Sequence, residues 1–586
     1  MKKRRIFPSG ICKNMCLALL VILLLAATQR GWVQTGSYTF FKIADTGTAI
    51  PSGTGNFGNY AGSFFDAFSV APSIAGTNVA FFGRNSFGRG IYRYNGNALS
   101  NTTTTGFLTN VADRNTPVPG GGTSSNFVFF GNAPAISGSN VVFFGGTNSL
   151  DEGIFLSSDG LLSSVANKRI RIPGLRDFIV GISNFVITNT NFVILTTNFL
   201  AETNFNNLTC FDVSGASVAL LGDNSFWGGC YLFSGGILTN VADVLTTVPG
   251  KTNNFATLGC PSISSTNVVF FGGTNNAVGG IHLFSGTPGS GALTNLADEN
   301  TAIPSGTGNF TGFGATPVVS GTNVVFTGTN ASGGGVYLVT LPLTGSSLSK
   351  VADRNTLIPS GTGSFTGFGQ PVLSGANVAF FGTNATGKGI YLFSSGTLSR
   401  VADLATAIPG GTGSFTGFGA TPSLSGANVV FFGTNSLGGG IYIYSNGALS
   451  KVIDQATLLD GKTLNSLTSA FPGLVLGSEA LDTEAVVFLA NFTDSSSGYF
   501  LALTGTLTVP ATTIPATVIP ATTIPAVGIP GTTTLGTTTS STTTPATTTP
   551  ASTSSGITTT GTTTPAVTTP ATTTLPTSTP GSSSVK

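Results

Sequence analysis

The stretch that decides the fold, residues 351–399, reads VADRNTLIPSGTGSFTGFGQPVLSGANVAFFGTNATGKGIYLFSSGTLS. Three of its elements, which in this copy read V-A-D, V-A-F-F-G and G-I-Y-L-F, recur eight times along the chain at spacings of 50 to 77 residues. Repetition at this period is typical of solenoids and propellers, in which each repeat is one supersecondary unit. The V-A-D elements end at Asp45, Asp113, Asn167, Asp243, Asp298, Asp353, Asp403 and Asp454.

Each repeat divides into four short β-type pieces, which we label a to d, separated by Gly and Ser turn signals. In the quoted copy, piece a reads Q-P-V-L, piece b N-V-A-F-F, piece c I-Y-L-F and piece d T-L-S-R-V-A-D. Piece b is apolar at consecutive positions, so both of its faces should be buried. Such burial excludes a sheet with one wet face and favours a propeller blade, which packs against a neighbour on each side.

The order of the pieces predicts that the repeats close into a ring. The chain enters the repeats with a d piece at 38–45, and the last repeat stops after its c piece at 498–502. The first strand can therefore complete the last blade, which removes two free sheet edges. We predict an all-β fold: a single eight-bladed β-propeller of four-stranded blades over residues 36–505, closed by the N-terminal strand. The alternative is a β-solenoid, which would need caps that we do not find.

The repeats also resemble a known family. The run P-S-L-S-G-A-N-V-V-F-F-G at 422–433, followed by G-G-I-Y-I-Y at 439–444, resembles the repeats of secreted β-propellers of the TolB and WD40-like kind, over roughly 38–505. The sequence lacks the Trp-Asp dipeptide of WD40 blades and the Asp-Gly turn of TolB-type repeats. The resemblance therefore implies architecture and no activity, since propellers host binding proteins and enzymes alike.

The two ends of the chain differ from the repeats. Four basic residues at 2–5, an apolar stretch at 15–27 and small residues at 26–28 predict a secretory signal peptide over 1–28, the alternative being an uncleaved anchor. No stretch of 18 apolar residues follows it, so we expect no transmembrane segment in the mature chain. Residues 506–586 repeat Thr, Pro and Ala and predict a disordered stalk, so we expect a secreted or cell-surface protein.

Charged residues are scarce. They make up 8% of the chain, the net charge is +2 and there is one His. Nucleic acid is not an expected partner, because few cations are present to neutralise phosphates. His282 fills the slot of a c-strand Tyr and has no partner motif, so neither a zinc site nor a catalytic set is indicated around it. We expect no metal, no cofactor and no enzymatic activity.

Two polar positions recur too often to mark a single ligand site. We interpret the Asp of V-A-D as a cap for the backbone of the loop that follows. The Asn that follows each b piece suits the b–c turn, because Asn side chains bond their own turn.

The third repeat departs most from the pattern. An insertion at 168–209 lengthens its d–a connection and includes an apolar stretch that reads as a hairpin over 182–199. Because d–a and b–c loops share one face of a propeller, a basic cluster and an aromatic pair should meet on one rim. Either this rim binds an acidic glycan or a partner protein, or the insertion only packs on the blade. The candidate ligand-binding residues are Lys168, Arg169, Arg171, Arg176, Phe226 and Trp227.

Three cysteines, Cys210, Cys230 and Cys260, remain after the predicted signal peptide. Cys210 and Cys260 occupy the same slot before piece b, on the inner strands of neighbouring blades. Cys230 starts a c strand two strands out from Cys210, and at about 4.8 Å per strand it is beyond disulfide reach. We predict a Cys210–Cys260 bridge if any forms, the alternative being three buried thiols.

Three classes of function remain open. The first is a non-catalytic binding or adhesion propeller on a flexible stalk, which we expect to be a monomer with an extracellular glycan or protein as its ligand. The second is an extracellular carbohydrate-active enzyme, a hydrolase or lyase, on the same scaffold, and the third is a structural matrix protein. The scarcity of acidic residues favours the first, because glycosidases need a close pair of carboxyl groups.

Overall fold

The computed structural model describes residues 38–504 except 59–67, 69, 97–106, 121–124, 148–151, 174–178, 189–190, 201–203, 225–226, 275–277, 288, 344–346, 468–479 and 484. The expected signal peptide and the expected stalk lie outside these residues. The named secondary-structure elements of the described part are all β-strands, and none of its segments is a helix that could span a membrane.

The strands form eight sheets that are the blades of an eight-bladed propeller, which confirms the predicted fold. In chain order the strands are β1 (Tyr38–Asp45); in blade 1, β2 (Ser73–Ala75), β3 (Asn78–Arg84), β4 (Arg89–Asn95) and β5 (Phe107–Asp113); in blade 2, β6 (Phe129–Ser137), β7 (Asn140–Gly146), β8 (Gly153–Ser158) and β9 (Leu161–Asn167); in a separate hairpin, β10 (Ile179–Thr188) and β11 (Asn191–Leu200); in blade 3, β12 (Asn207–Ser214), β13 (Ser217–Asp223), β14 (Gly228–Ser234) and β15 (Ile237–Asp243); in blade 4, β16 (Thr257–Leu258), β17 (Ser262–Ser264), β18 (Asn267–Gly273), β19 (Gly280–Ser285) and β20 (Ala292–Asp298); in blade 5, β21 (Gly312–Phe313), β22 (Val318–Ser320), β23 (Asn323–Asn330), β24 (Gly333–Thr340) and β25 (Leu348–Asp353); in blade 6, β26 (Phe365–Phe368), β27 (Val372–Ser374), β28 (Asn377–Asn384), β29 (Gly387–Ser394) and β30 (Thr397–Asp403); in blade 7, β31 (Gly417–Phe418), β32 (Ser423–Ser425), β33 (Asn428–Asn435), β34 (Gly438–Ser445) and β35 (Ala448–Asp454); in blade 8, β36 (Leu458–Leu459), β37 (Lys462–Ser466), β38 (Leu481–Asp482), β39 (Ala485–Phe492) and β40 (Ser497–Thr504).

The inner strand is divided in blades 4 to 8. In blade 6, for example, β26 and β27 both pair with β28. Pro371 lies between the two parts, and a proline has no N–H to donate to a neighbouring strand. Blades 4, 5 and 7 carry Pro261, Pro317 and Pro422 at the same place. The four-stranded plan therefore holds, and in blades 4 to 7 the inner strand is interrupted at its proline. In blade 2, Pro134 lies within β6 at a shift of the strand register.

Blades 1 to 7 are each built on a small aromatic cluster around a glycine. In blade 7 the Phe415 ring packs edge-on against Tyr442 with centroids 4.8 Å apart, and Phe431 lies 5.9 Å from the same Tyr. A Cβ added at Gly433 would lie 2.6 Å from the Phe415 ring, so the glycine gives the ring its place. The b strand is buried on both faces as predicted: Val429, Val430 and Phe431 are all at most 1% exposed.

The ring is closed by the first strand, as predicted. β1 pairs antiparallel with β40, from Tyr38 opposite Thr504 to Asp45 opposite Gly498. The inner strand of blade 1, β2, contacts both β6 of blade 2 and β38 of blade 8. Blade 8 therefore takes its outermost strand from the N-terminal side of the chain, and the blades form a continuous ring.

Hydrogen bonds between neighbouring a–b turns stabilise the contacts between the inner strands. The backbone N–H of Gly375 in blade 6 donates to Ser320 Oγ in blade 5 at 2.9 Å. The same bond joins Gly215 to Ser137, Ser265 to Ser214, Gly321 to Ser264, Gly426 to Ser374 and Thr483 to Ser425. Asp482 replaces the serine at the closure of the ring and accepts from Gly76. The repeated Ser-Gly pair is thus a contact between blades as well as a turn.

The Asp of V-A-D caps the loop that follows it, as interpreted. Asp353 Oδ1 accepts from the Asn355 N–H at 3.1 Å and from Thr356 Oγ1 at 2.7 Å. Thr356 Oγ1 in turn accepts from the Asp353 N–H at 2.9 Å. The motif D-x-x-T therefore encodes a turn that starts seven of the eight crossings between blades, and the crossing after blade 2 has Asn167 and Ile170 at these two positions.

A disulfide joins two neighbouring blades in the structure. It links Cys210 in β12 to Cys260, just before β17, with Cα atoms 5.9 Å apart. Cys230 is a free thiol and is buried. Of the two outcomes left open by the sequence, the structure contains the bridge between inner strands.

Candidate functional site

The d–a loops and the b–c turns meet on one face of the propeller, which we call the loop face. In blade 1, Asn85 Nδ2 donates at 2.8 Å to the carbonyl oxygen of Thr54 in the incoming d–a loop. Asn85 Oδ1 accepts from the N–H groups of Phe87 and Gly88 at 2.9 and 3.0 Å. This Asn therefore bonds its own turn, as the repeat pattern predicts, and also fastens that turn to the loop beside it.

The described members of the basic cluster, Lys168, Arg169 and Arg171, make contacts within the protein. Lys168 Nζ forms an ion pair with Glu152 Oε2 at 2.5 Å. The backbone N–H of Arg169 donates to Asn167 Oδ1 at 2.9 Å. Arg171 pairs through its backbone with Asn204. Arg169 and Arg171 make further interactions of their own. Arg176 lies outside the described residues.

Trp227 lies at the edge of the blade 3 core. Its side chain packs on a hydrophobic cluster to which Ile170 and Leu208 also belong, so the structure brings the d–a crossing and the Trp turn together. The Trp227 backbone N–H donates to Asn224 Oδ1 at 2.8 Å, and the Trp227 carbonyl oxygen accepts from the Asn224 backbone N–H at 2.9 Å. Phe226, the other aromatic residue predicted here, lies outside the described residues.

A groove opens beside Trp227, and we call it the blade 3 groove. Its volume is about 300 Å³, and it runs between the b–c turn of blade 3 and the inner strand of blade 4. Its lining residues are Leu221, Gly222, Asp223, Asn224, Trp227, Gly228, Val244, Ala256 and Leu258. One indole, one carboxylate and a mostly apolar far wall are the kinds of group that bind a small ring or an extended chain.

Asp223 was not among the residues predicted from the sequence. Its Oδ1 accepts from Asn207 Nδ2 at 2.8 Å across β12 and β13. In blades 5 to 7 the equivalent cross-strand pair is Thr with Thr, for example Thr416 with Thr434. Comparing this slot between repeats would have found Asp223, because no other repeat carries an acid there.

The predicted hairpin in the insertion forms. β10 and β11 pair from Ile179 opposite Leu200 to Thr188 opposite Asn191, a few residues longer than the predicted 182–199. Their side chains lie outside the described residues, so the two interpretations of the insertion remain predictions.

The acidic residues of the described part are mostly bound to partners that build the fold. Asp212 Oδ2 accepts from Ser262 Oγ and from the Ile263 N–H at 3.0 and 2.9 Å, which joins blades 3 and 4. Burial raises the Asp212 pKa, against the hydrogen bonds that lower it. Asp298 and Glu299 both lie beside Lys251, with Glu299 Oε1 at 2.6 Å from its Nζ. No group of three or more metal-ligating side chains occurs within the described part of the chain.

His282 lies in the aromatic cluster of blade 4. The imidazole packs edge-on against Phe255 at 4.9 Å, and its Nε2 is 3.3 Å from the Gly272 carbonyl oxygen. The residue is 1% exposed, so it is more deeply buried than a half-buried strand position. Burial lowers its pKa to about 4. It is a neutral core residue in the slot that Tyr442 fills in blade 7.

No known protein family and no curated protein matches the sequence. Among solved structures, the β-propeller domain of the Trilobed protease from Pyrococcus furiosus is similar at 10% identity and a TM-score of 0.36, over 66% of this chain and 96% of that one. TolB from Acinetobacter baumannii is similar at 12% identity and a TM-score of 0.28, over 53% and 61% of the two chains. The polysaccharide lyase Uly1 is similar at 10% identity and a TM-score of 0.32, over 72% and 98%. Similarity at this level carries no inference about activity.

Proposed function

We propose that this protein is a secreted or cell-surface binding propeller without catalytic activity, and that the blade 3 groove binds a glycan. The observation that carries the proposal is the position of Trp227 and Asp223 together on the groove. They lie in the blade whose connection departs most from the repeat pattern, and departures in loops of a repeated scaffold are where function is expected.

The chemistry of the groove suits a sugar. An indole presents a large flat apolar surface, against which the C–H face of a sugar ring can pack. The Asp223 carboxylate has two oxygens, and Asn207 occupies only Oδ1. The second oxygen is available to accept from a hydroxyl group of a ligand that lies against Trp227.

The use of the acidic residues supports a non-catalytic role. A glycosidase needs two carboxyl groups placed either side of the bond that breaks, with one of them kept protonated. Among the described acids, Asp353 is instead committed to a loop cap and Glu299 to a lysine. Neither arrangement leaves a pair of carboxyl groups facing a common groove.

The experiment that tests this function uses the tryptophan as its own reporter. The chain has two Trp, so the substitution Trp32→Phe leaves Trp227 as the sole tryptophan. We expect the purified protein to bind selected sugars on a glycan array, and the fluorescence of Trp227 to change as a selected sugar is titrated. Trp227→Ala should weaken binding by about 5- to 150-fold, since stacking on an aromatic ring contributes about 1–3 kcal/mol.

A matched control is Leu357→Ala. Leu357 is 73% exposed in the d–a loop that leads into blade 6, and it does not line the groove. This variant should bind like the wild type. Equal binding by Trp227→Ala and the wild type would contradict the proposed site, and release of shorter sugars from the bound glycan would contradict the proposed lack of catalysis.

A further inference from the structure

Two positions face each other at the loop-face end of every blade. One is the residue just before G-I-Y-L-F, and the other is the residue just after V-A-D. In blade 2 these positions hold Glu152 and Lys168, whose side chains form an ion pair at 2.5 Å. The Lys168 N–H also donates to the Glu152 carbonyl at 3.1 Å, which shows that the two residues are cross-strand neighbours. The slot therefore suits two opposite charges.

In blade 1 the same two positions hold Arg89 and Arg114. The strand register places Gly90 opposite Asp113, so Arg89 and Arg114 are the next residues on each side. The Arg114 side chain lies over the turn, because a Cβ added at Gly88 would be 3.2 Å from Arg114 Cδ. Like charges at facing positions destabilise a sheet. No carboxylate in the described part of the chain forms an ion pair with either guanidinium group.

Among the described residues that line the cavity, one carboxylate accompanies these two guanidinium groups. Asp113 is the carboxylate on the cavity wall, but it is 6% exposed and its Oδ1 accepts from Asn115 N–H and Thr116 Oγ1 at 2.9 and 3.0 Å. On the other side, Arg84 faces Arg89 in the pairing of β3 and β4. Arg84 has contacts of its own. The two guanidinium groups of Arg89 and Arg114 meet at one edge of the blade beside the Asp113 carboxylate.

A cavity of about 110 Å³ lies between these groups, and we call it the blade 1 pocket. Arg89, Arg114, Asn85, Thr54 and Phe87 are among its lining residues. Phe87 is 69% exposed, and the hydrogen bonds of Asn85 fix the turn that carries it. A cationic pocket with an exposed ring at its mouth fits an anion attached to an apolar or ring-shaped body.

We propose that the blade 1 pocket binds the oxyanion of an acidic polysaccharide, either the carboxylate of a uronic acid or a sulfate ester. Arg89 and Arg114 donate to its oxygens, and Phe87 lies against the sugar ring that carries it. The choice of a glycan rests on the proposed function, whereas the need for an anion rests on the charges of blade 1 alone. The pocket is in a different blade from the blade 3 groove, so the two sites can be tested separately.

The test measures binding of the full chain to three polymers by calorimetry at low and physiological salt. Polygalacturonate carries carboxylates, dextran sulfate carries sulfate esters, and dextran is neutral. We expect one or both acidic polymers to bind and dextran not to bind at this pocket. Arg89→Glu should weaken binding of the acidic polymer by tenfold or more, because it removes one charge-assisted contact and adds a repulsive one.

The same variant also checks that the fold is intact. Arg89→Glu places a carboxylate opposite Arg114 and so reproduces the Glu152–Lys168 pair of blade 2. Its melting temperature should equal or exceed that of the wild type, so a loss of binding cannot come from unfolding. Arg114→Ala should weaken binding in the same direction.

The matched control is Arg354→Ala. Arg354 follows the V-A-D of blade 5 as Arg114 follows that of blade 1, but the residue opposite it is Gly334. This variant removes the same charge from the loop face and should change the affinity less than twofold. Equal losses in Arg354→Ala and Arg114→Ala would show diffuse attraction and overturn the pocket, as would unchanged binding by Arg89→Glu. Trp227→Ala should keep its affinity for the acidic polymer, so a failure of the blade 3 groove is distinguishable from a failure of this pocket.

Discussion

One position of the c strand holds an aromatic or imidazole ring, and its residues show what the packing of a blade requires. The ring position of the c strand is Tyr in blades 5 to 7, Phe155 in blade 2 and His282 in blade 4, and in each case the ring packs against a neighbouring Phe. The blade requires a flat ring here, not a particular functional group. A His in such a place is explained by shape, and its cost lies in the burial of an imidazole whose Nδ1 has no hydrogen-bond partner.

This burial predicts a pH dependence of stability. The folded pKa of His282 is about 4, below the value of about 6.5 for the unfolded chain, with burial as the main cause and Lys251, Asp298 and Glu299 as the nearby charges. Between these two values the unfolded chain binds the proton and the folded chain does not, so stability falls as the pH is lowered through this window. His282→Phe should remove a loss of about 3 kcal/mol, measured as the difference in denaturant unfolding free energy between pH 7.5 and 4. Parallel pH profiles for the variant and the wild type would contradict this.

The cysteines give a second test at single residues. Non-reducing peptide mapping should find Cys210 linked to Cys260 and Cys230 unmodified. Burial raises the Cys230 pKa, so this thiol should react with an alkylating reagent only after unfolding. Fast labelling of Cys230 in the native protein would contradict its buried position, and labelling of all three cysteines in the unfolded, unreduced protein would remove the bridge.

At the scale of the blade, the pattern of apolar pieces was enough to predict strands, their order and the burial of both faces of the b strand. The interrupted inner strand was not predicted, although piece a, Q-P-V-L, contains the signal: its proline has no N–H to donate to the neighbouring strand. The contacts between turns were also missed. Ser320 and Gly375 are 55 positions apart, and only the ring brings the Ser Oγ to the next turn.

The aromatic cluster of a blade predicts a pair of coupled substitutions. In blade 8, Leu464 takes the place that Phe415 has in blade 7, and Ala490 takes the place of Gly433. A smaller side chain thus accompanies the extra methyl group of the alanine. Gly433→Ala alone should destabilise blade 7 by about 1–3 kcal/mol, because its Cβ would meet the Phe415 ring. Adding Phe415→Leu should recover part of this loss.

A double-mutant cycle in denaturant unfolding measures the effect. The two substitutions should couple, so that the loss in the double variant is smaller than the sum of the two single losses. Gly419→Ala offers a comparison in the same blade, because this glycine has no positive φ and its added Cβ would only reach ordinary contact with Phe432 Cβ at 3.4 Å. Additive losses for Gly433→Ala and Phe415→Leu would contradict the proposed contact.

At the scale of the whole molecule, the sequence predicted the number of blades and the closure because both follow from counting pieces. The residues of the candidate sites were predicted less well from the sequence. The basic cluster was chosen for its density in the sequence, but Lys168 is neutralised by Glu152, a residue that lies beside it only after the sheet has formed. Arg89 and Arg114 were not predicted as site residues, because only the pairing of β4 and β5 shows that they face each other. Charge becomes informative once each residue is compared with its structural counterpart in the other blades.

Closure by β1 gives the last prediction. Removal of residues 36–46 should lower the melting temperature sharply, because it exposes the full edge of β40 and removes the Lys42 contacts to Asp45 and Asp460. Tyr38 lies opposite Thr504, so a short turn from 504 to 38 would make β40 and β1 a hairpin. A circular permutant that begins at 46 and carries 38–45 after such a turn should therefore melt close to a chain of residues 36–504, measured by calorimetry. If the permutant melts with the deletion variant, or the deletion variant melts with the parent chain, β1 does not close the ring in solution.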